Sequence, residues 1–159
     1  MTHIADPSWS ASDPTLVPHR RPGWDDYFLG IAEAVAARGE CVRSKVGAVI
    51  VRDNRILATG YNGVAAGEPS CLDGICPRAQ NQVERGTRYD DPQGACIADH
   101  AEDNALSDAM QRLIPIIGST VYVTKEPCER CAELLELYDT LVVWQDKSKG
   151  TSGRADFRC

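Results

Sequence analysis

Two short segments of this 159-residue chain carry the side chains that are best suited to chemistry. They are HAE at residues 100–102 and PCERC at residues 127–131, and Cys128 follows His100 by 28 positions. One imidazole from His100 and two thiolates from Cys128 and Cys131 make three ligands for Zn²⁺. Three protein ligands leave the fourth tetrahedral position to water, which distinguishes a catalytic zinc from a closed structural one.

Each segment is predicted to open a helix. Cys128 and Cys131 are three residues apart, so they face the same way, and the positive end of the helix dipole favours the thiolate form that binds zinc. Glu102 follows His100 by two residues, so it can face the same cavity without binding the metal. The H-x-E and P-C-x-x-C segments together match the signature of zinc-dependent deaminases, in which this glutamate is the general acid/base.

A non-catalytic interpretation remains open for the cysteines. Cys128-x-x-Cys131 alone would fit a redox dithiol or half of a structural zinc site about as well. Glu102 separates the two classes, because a structural site has no use for a carboxylate next to a ligand. The hypothesis is therefore an enzyme, with a non-catalytic zinc or redox module as the alternative.

The elements that must position these segments alternate between helix and strand. The apolar pattern predicts a helix from Trp24 to about Gly39, a hairpin of strands 46–51 and 56–59, and a long irregular insertion over 62–98. A helix over 100–112, a strand over 119–124, a helix over 128–138 and a last strand over 141–144 follow. Alternating helices and strands imply parallel pairing, so we expect an α/β protein with a three-layer α/β/α sandwich around a mixed sheet.

Composition restricts the partners. The chain has 17 Lys and Arg against 23 Asp and Glu, a net charge of -6, whereas proteins that bind nucleic acid through phosphates usually carry a basic excess. An editing enzyme for DNA or RNA is therefore disfavoured, and no nucleic acid partner is expected. No apolar run approaches the roughly 20 residues of a membrane helix.

The N-terminal segment differs from the rest of the chain. Residues 1–22 hold four prolines among Ser, Thr and Asp, a composition that predicts a flexible arm before a domain at 23–159. It lacks the basic start and apolar run of a signal peptide. We therefore expect a cytoplasmic protein.

Residues 24–144 resemble the cytidine and deoxycytidylate deaminase family, most closely its deoxycytidylate (dCMP) branch. Besides HAE and PCERC, the resemblance rests on KVGAVIV at 45–51, TGYNG at 59–63, Cys41, Gly67 and Cys71. It implies a five-stranded mixed sheet, a cytidine deaminase-like fold, and a homo-oligomer. It also implies zinc ligation by His100, Cys128 and Cys131, with Glu102 as the general acid/base.

The resemblance further implies two substrate contacts. Asn62 would bind the substrate through its carboxamide, and the backbone N–H of Ala101 would lie beside the pyrimidine carbonyl. The alternative for Asn62 is a turn residue beside Gly63. The implied reaction is the hydrolysis of dCMP to dUMP with release of ammonia.

One departure from the branch leaves the substrate open. Branch members commonly have Pro-Arg shortly after GYNG, where this chain has Ala65 and Ala66. A basic residue near the expected phosphate position is therefore missing. The alternative is a deaminase of another small amino-heterocycle, such as a nucleoside, a free base or a nucleoside antibiotic.

Five of the seven cysteines are not explained by this site, and four of these five lie in or before the insertion. Cys41 precedes the first strand, and Cys71, Cys76 and Cys96 lie in the insertion, which has too few apolar residues to hold itself in place. Four thiolates can close a structural zinc site that orders the loop. The resemblance implies such a second zinc with histidines in the insertion; since there are none before His100, Cys76 and Cys96 would replace them. The alternative is four free, partly buried thiols.

Overall fold

A five-stranded mixed sheet organises the part of the chain that the computed structural model describes, residues 21–84, 88–90, 92 and 94–158. Most of the predicted arm, residues 1–20, lies outside these ranges. The strands are β1 (Gly47–Arg52), β2 (Arg55–Tyr61), β3 (Thr120–Val123), β4 (Leu141–Asp146) and β5 (Thr151–Asp156), in the order β2-β1-β3-β4-β5. The β3–β4 pair is parallel and all other pairs are antiparallel.

The β1–β2 hairpin turns where the sequence predicts it. Asp53 and Asn54 have φ angles of 52° and 58°, the left-handed conformation that a two-residue hairpin turn needs at both central positions. Asp and Asn tolerate this conformation better than most residues do.

Helices cover both faces of the sheet, which confirms the α/β/α sandwich. Helix α1 (Trp24–Ala36) packs its Phe28 and Ala32 on Val49 and Val51. Helices α3 (Ala101–Gln111) and α4 (Glu129–Glu136) cover the other face, where Ala48 and Ile50 point. The alternation of β1 side chains between two cores explains why this strand is apolar along its whole length.

Two glycines set how closely the helices approach the sheet. A Cβ on Gly47 would lie 2.1 Å from the Ala32 carbonyl oxygen of α1, and one on Gly60 would lie 2.2 Å from the Ala105 nitrogen of α3. Both neighbours are backbone atoms, which cannot rotate away. The strands therefore accept the two helices only because these positions lack a side chain.

The expectation that the strand at 141–144 is the last was wrong. Strand β5 follows it and pairs antiparallel with β4 along its length, from Leu141 with Asp156 to Asp146 with Thr151. Its sequence TSGRAD has little apolar content because it is a half-exposed edge strand. Gly153 packs under the Trp144 ring, where a Cβ would lie 2.2 Å from the nearest ring atom.

The described part of the insertion is mostly irregular but contains two short helical segments. A 3₁₀ turn spans Cys71–Asp73 and begins with a capping box from Ser70, and a four-residue helix, α2, spans Pro77–Gln80. Within the described residues, no helix combines the length and the apolar character that a bilayer crossing requires.

Candidate active site

The N-terminal ends of α3 and α4 meet on one side of the sheet and bring the predicted zinc ligands together. His100 and Cys128 are the N-cap residues of the two helices, and Cys131 lies in the first turn of α4. His100 Nδ1 is 3.2 Å from Cys131 Sγ and 3.4 Å from Cys128 Sγ. One zinc ion can span such distances, because its bonds to nitrogen and sulfur are about 2.0–2.3 Å.

This set is distinct among the described residues. It is the one group there of three or more His, Cys, Asp or Glu side chains whose donor atoms all lie within 4.8 Å of one another. Two thiols and an imidazole are the donor chemistry that zinc prefers. The residues present therefore fit a catalytic zinc with three protein ligands.

A short backbone bridge places His100 at this position. Gly63, at the end of the GYNG segment, and Asp99 exchange two hydrogen bonds of 3.1 and 2.9 Å. One turn into α3, Asn104 Nδ2 donates to the Tyr61 carbonyl at 2.8 Å. Hydrogen bonds before and after His100 in the sequence thus connect the start of α3 to the end of β2.

Hydrogen bonds within the ligand set favour one thiolate. A hydrogen bond from Cys131 and another from the His100 ring hold the pKa of the Cys128 thiol at about 4, far below its usual range. The hydrogen bond to Cys128, together with burial, raises the pKa of Cys131. Cys128 is therefore a thiolate at neutral pH, the form that binds zinc.

Glu102 lies buried beside the ligands, with 5% of its surface exposed. Burial raises the pKa of Glu102 to about 7, and the nearby charges of Cys128 and Asp103 act in the same direction. A carboxyl group whose pKa lies near neutrality can both accept and release a proton. The site therefore combines a metal-binding triad with a group suited to proton transfer.

The structure places the two predicted substrate contacts at the same end of the sheet. Asn62 is buried; its Oδ1 accepts from the Val46 N–H and its Nδ2 donates to the Ser44 carbonyl, both at 2.8 Å. An amide has a second lone pair and a second N–H, so each end keeps one hydrogen bond to offer. Ala101 is the first residue of α3, where the N–H has no acceptor within the helix.

The other four cysteines that the structure describes approach one another without forming as tight a group. Cys71 and Cys76 are buried, and Cys41 and Cys96 are half-buried. Burial, a hydrogen bond with Cys76 and the charges of Cys76, Cys41 and Cys96 raise the pKa of Cys71 to about 12. The Ser44 N–H points to Cys41 Sγ at 3.4 Å.

Four side chains near the ligands, those of Tyr89, Asp103, Asn104 and Arg130, are not predicted from the sequence. The Tyr89 ring contacts the His100 ring edge to face, with centroids 4.2 Å apart, and Arg130 of α4 pairs with Asp103 of α3. The sequence does contain an indication that Asn104 has a structural role, because it is a polar residue one turn after His100 on a helix with many alanines. No sequence pattern points to Tyr89, because the insertion has no apolar periodicity that would indicate where its side chains point.

Comparison with known proteins yields consistent matches. The family described as "Cytidine and deoxycytidylate deaminase zinc-binding region" matches residues 22–144. The deoxycytidylate deaminase of Mycobacterium phage D29 is 48% identical over 116 residues, which cover 72% of this chain and 88% of that protein. The deoxycytidylate deaminase of Schizosaccharomyces pombe is 39% identical over 118 residues, 74% of this chain but 35% of the yeast protein.

A similar fold is found in a solved structure. The dCMP deaminase from the cyanophage S-TIM5, crystallised in complex with dCMP and dUMP, aligns with a TM-score of 0.58 and 26% identity over 79% of this chain and 83% of that one. The chain thus spans most of both phage proteins and about a third of the yeast relative.

Proposed function

Because the chain belongs to the cytidine and deoxycytidylate deaminase family, we propose that it hydrolyses dCMP to dUMP and ammonia. The observation that carries the proposal is the convergence of His100, Cys128 and Cys131 beside a buried Glu102. The names of the phage relatives support dCMP as the substrate. In the reaction, water adds at C4 of the pyrimidine and the amino group leaves as ammonia.

Glu102 is the proton carrier in this proposal. Zinc bound by the three ligands supplies Lewis acidity, which lowers the pKa of a water molecule. Glu102 takes a proton from the attacking water and delivers it to ring N3. It then takes the proton of the new C4 hydroxyl and delivers it to the amino group, so that the C4–N bond breaks, ammonia leaves and the C4 carbonyl forms. Its burial supports this role, because a carboxyl group whose pKa lies near 7 suits both directions of transfer.

Asn62 and Ala101 bind the substrate in this proposal. The unused donor and acceptor of the Asn62 amide suit a sugar hydroxyl or a ring carbonyl. The backbone N–H of Ala101 suits the pyrimidine carbonyl. The existing bonds of Asn62 to the backbone of Ser44 and Val46 support the proposal by fixing the amide in one orientation.

Specificity for the monophosphate has an alternative, which is a substrate without a phosphate group. Ala65 and Ala66 leave no basic side chain directly after GYNG to bind the phosphate. A buried phosphate needs a charge-assisted partner. Arg43 and Lys45 flank Ser44, whose carbonyl Asn62 contacts. Both line an open cavity of about 370 Å³, which Glu33 and Asp146 also line and which the metal ligands do not reach. They supply positive charge on that side of the amide.

The test is ammonia release by the zinc-loaded protein from dCMP, deoxycytidine, cytosine and other aminopyrimidines. A kcat/KM for dCMP well above that for deoxycytidine is expected. Equal values would replace the nucleotide by the nucleoside as substrate. A folded, zinc-loaded protein that deaminates none of the panel would overturn the proposed function.

A second zinc at Cys41, Cys71, Cys76 and Cys96 is also part of the proposal, with a structural role. The hydrogen bond between Cys71 and Cys76 and the N–H directed at Cys41 support it. Elemental analysis should then find about two zinc ions per chain. A single zinc, with Cys71 and Cys76 readily alkylated in the native protein, would favour free thiols.

Self-association is supported by an apolar surface at the C-terminal ends of α3 and α4. Leu113 and Leu137 are 89% and 78% exposed, and Met110 and Ile117 are more than half exposed. A second copy of this chain is the proposed occupant. Light scattering should find a homo-oligomer that Leu137→Lys weakens.

The remaining proposals concern domain organisation, partners and location. A single deaminase domain at 23–159 would follow an N-terminal arm at 1–22. The net charge of -6 supports a small-molecule substrate rather than nucleic acid. The free thiols of the six described cysteines support a reducing compartment such as the cytoplasm.

A further inference from the structure

Tyr89 connects the insertion to the metal-binding end of α3. Its ring lies edge to face on the imidazole of His100, with the centroids 4.2 Å apart and the planes at 72°. Tyr89 therefore lies directly beside the predicted metal-binding residues. The mechanism does not use this residue.

The tyrosine is only partly covered by the protein. About half of its surface, 47%, is exposed although it packs on His100. An aromatic ring that is fixed on one side and open on another offers stacking surface to a flat heterocycle. Such base–aromatic stacking tolerates any pyrimidine, because every base has a π-face.

Arg78 fixes the backbone around Tyr89. This arginine is buried, and its Nη1 donates to the Arg88 carbonyl at 2.6 Å and to the Gly94 carbonyl at 3.2 Å. Its guanidinium also lies 5.5 Å from the Tyr89 ring centroid, within cation–π range. The Tyr89 carbonyl in turn accepts from the Cys96 N–H at 2.7 Å.

We propose that Tyr89 forms a wall of the substrate pocket and packs against the amino-pyrimidine ring, and that Arg78 is a positioning residue that acts through Tyr89. This inference rests on the proposed function and adds a substrate-binding contact to it. The partial exposure of Tyr89 next to His100 carries the first part. The two carbonyl contacts of Arg78 on either side of Tyr89 carry the second.

The first experiment compares Tyr89→Ala with Tyr89→Phe in the zinc-loaded protein. Tyr89→Ala is expected to raise the KM for dCMP roughly 5- to 100-fold, the range that loss of a base–aromatic stack produces, with a smaller effect on kcat. Tyr89→Phe keeps the ring and is expected to stay near wild type. Tyr27→Ala is the matched control, because Tyr27 is 48% exposed and lies on α1.

Two readouts do not depend on turnover. Calorimetric binding of dUMP should weaken in Tyr89→Ala by a similar factor, while zinc affinity in chelator competition should stay unchanged. If Tyr89 only supports His100, zinc affinity falls and dUMP binding to the fully loaded protein does not change. That result overturns the proposal. Tyr89→Leu, which keeps apolar bulk, replaces Tyr89→Ala if the latter does not fold.

Arg78→Lys tests the positioning role, with Arg112→Lys as the control on an exposed arginine. Arg78→Lys should raise the KM and the dUMP dissociation constant, and adding it to Tyr89→Ala should have no further effect, because both act on one contact. Additive effects overturn the role of Arg78. If the wild-type protein is active and Tyr89→Ala changes neither the KM nor the binding of dUMP, this inference alone is overturned. If the wild-type protein is inactive, the proposed function is overturned and this inference with it.

Discussion

Arg130 of α4 reaches across to Asp103 of α3, with Nη2 and Oδ2 3.2 Å apart. Each residue neighbours a group of the site, since Arg130 precedes Cys131 and Asp103 follows Glu102. The pair therefore joins the two helices whose N-terminal ends hold the metal ligands. The arginine side chain is 71% exposed, while that of the aspartate is 13% exposed.

Removal of this arginine is expected to have a small effect. Arg130→Ala should lower the free energy of unfolding by about 0.2–1 kcal/mol, because one partner is solvent-exposed, and zinc should stay bound. Urea unfolding and zinc analysis measure both, with Arg130→Lys as the control that keeps the charge. Loss of zinc from Arg130→Ala would contradict the prediction and show that the pair holds the ligands in place.

The Glu102 carboxylate should be required for turnover but not for metal binding. Glu102→Gln keeps the shape of the buried side chain and should lower kcat by about 10²- to 10⁴-fold, the usual contribution of proton transfer, with zinc content unchanged. Glu129→Gln, an exposed glutamate at the start of α4, is the matched control. Full turnover by Glu102→Gln would refute the assignment.

The close approach of α3 to β2 should make Gly60 intolerant of any side chain. A Cβ there would lie 2.3 Å from the Ala101 carbonyl oxygen, so Gly60→Ala should destabilise the fold by about 1–3 kcal/mol, as overpacking does. Gly30→Ala is the control in helix α1, where nothing lies within 4 Å of the new Cβ. It should stabilise the protein by about 0.5–1 kcal/mol. Thermal unfolding compares the two, and equal melting temperatures would argue against tight contact.

Single cysteine substitutions should separate the two metal sites. Cys128→Ser should remove activity and the catalytic zinc but leave the structural zinc bound. Cys71→Ser should remove the structural zinc and leave the insertion open to proteolysis. Zinc content and limited proteolysis of each variant provide the readout, with Cys159→Ser as the control. If Cys71→Ser retains the zinc content of the wild type, the four-thiol site does not exist.

The sequence predicts the metal ligands and most of the sheet because their signals are local. His100, Cys128 and Cys131 stand at helix starts, where spacing alone determines which way side chains point. Strand β5 is missed because it is an edge strand without a buried residue, so it does not need the continuous apolar run that marks β1. Tyr89 is missed because it reaches His100 from an irregular segment, where no period relates position to direction.

The Gly63–Asp99 bridge has an evolutionary consequence. Its two hydrogen bonds hold together the two ends of the loop formed by residues 64–98, which leaves the sheet and returns to it at one place. Closing a longer loop costs little, since each doubling of its length adds about 0.6 kcal/mol. A lineage can therefore lengthen, shorten or exchange this loop while the hydrolytic machinery below it stays intact, and selection for a new substrate can act on one exchangeable part.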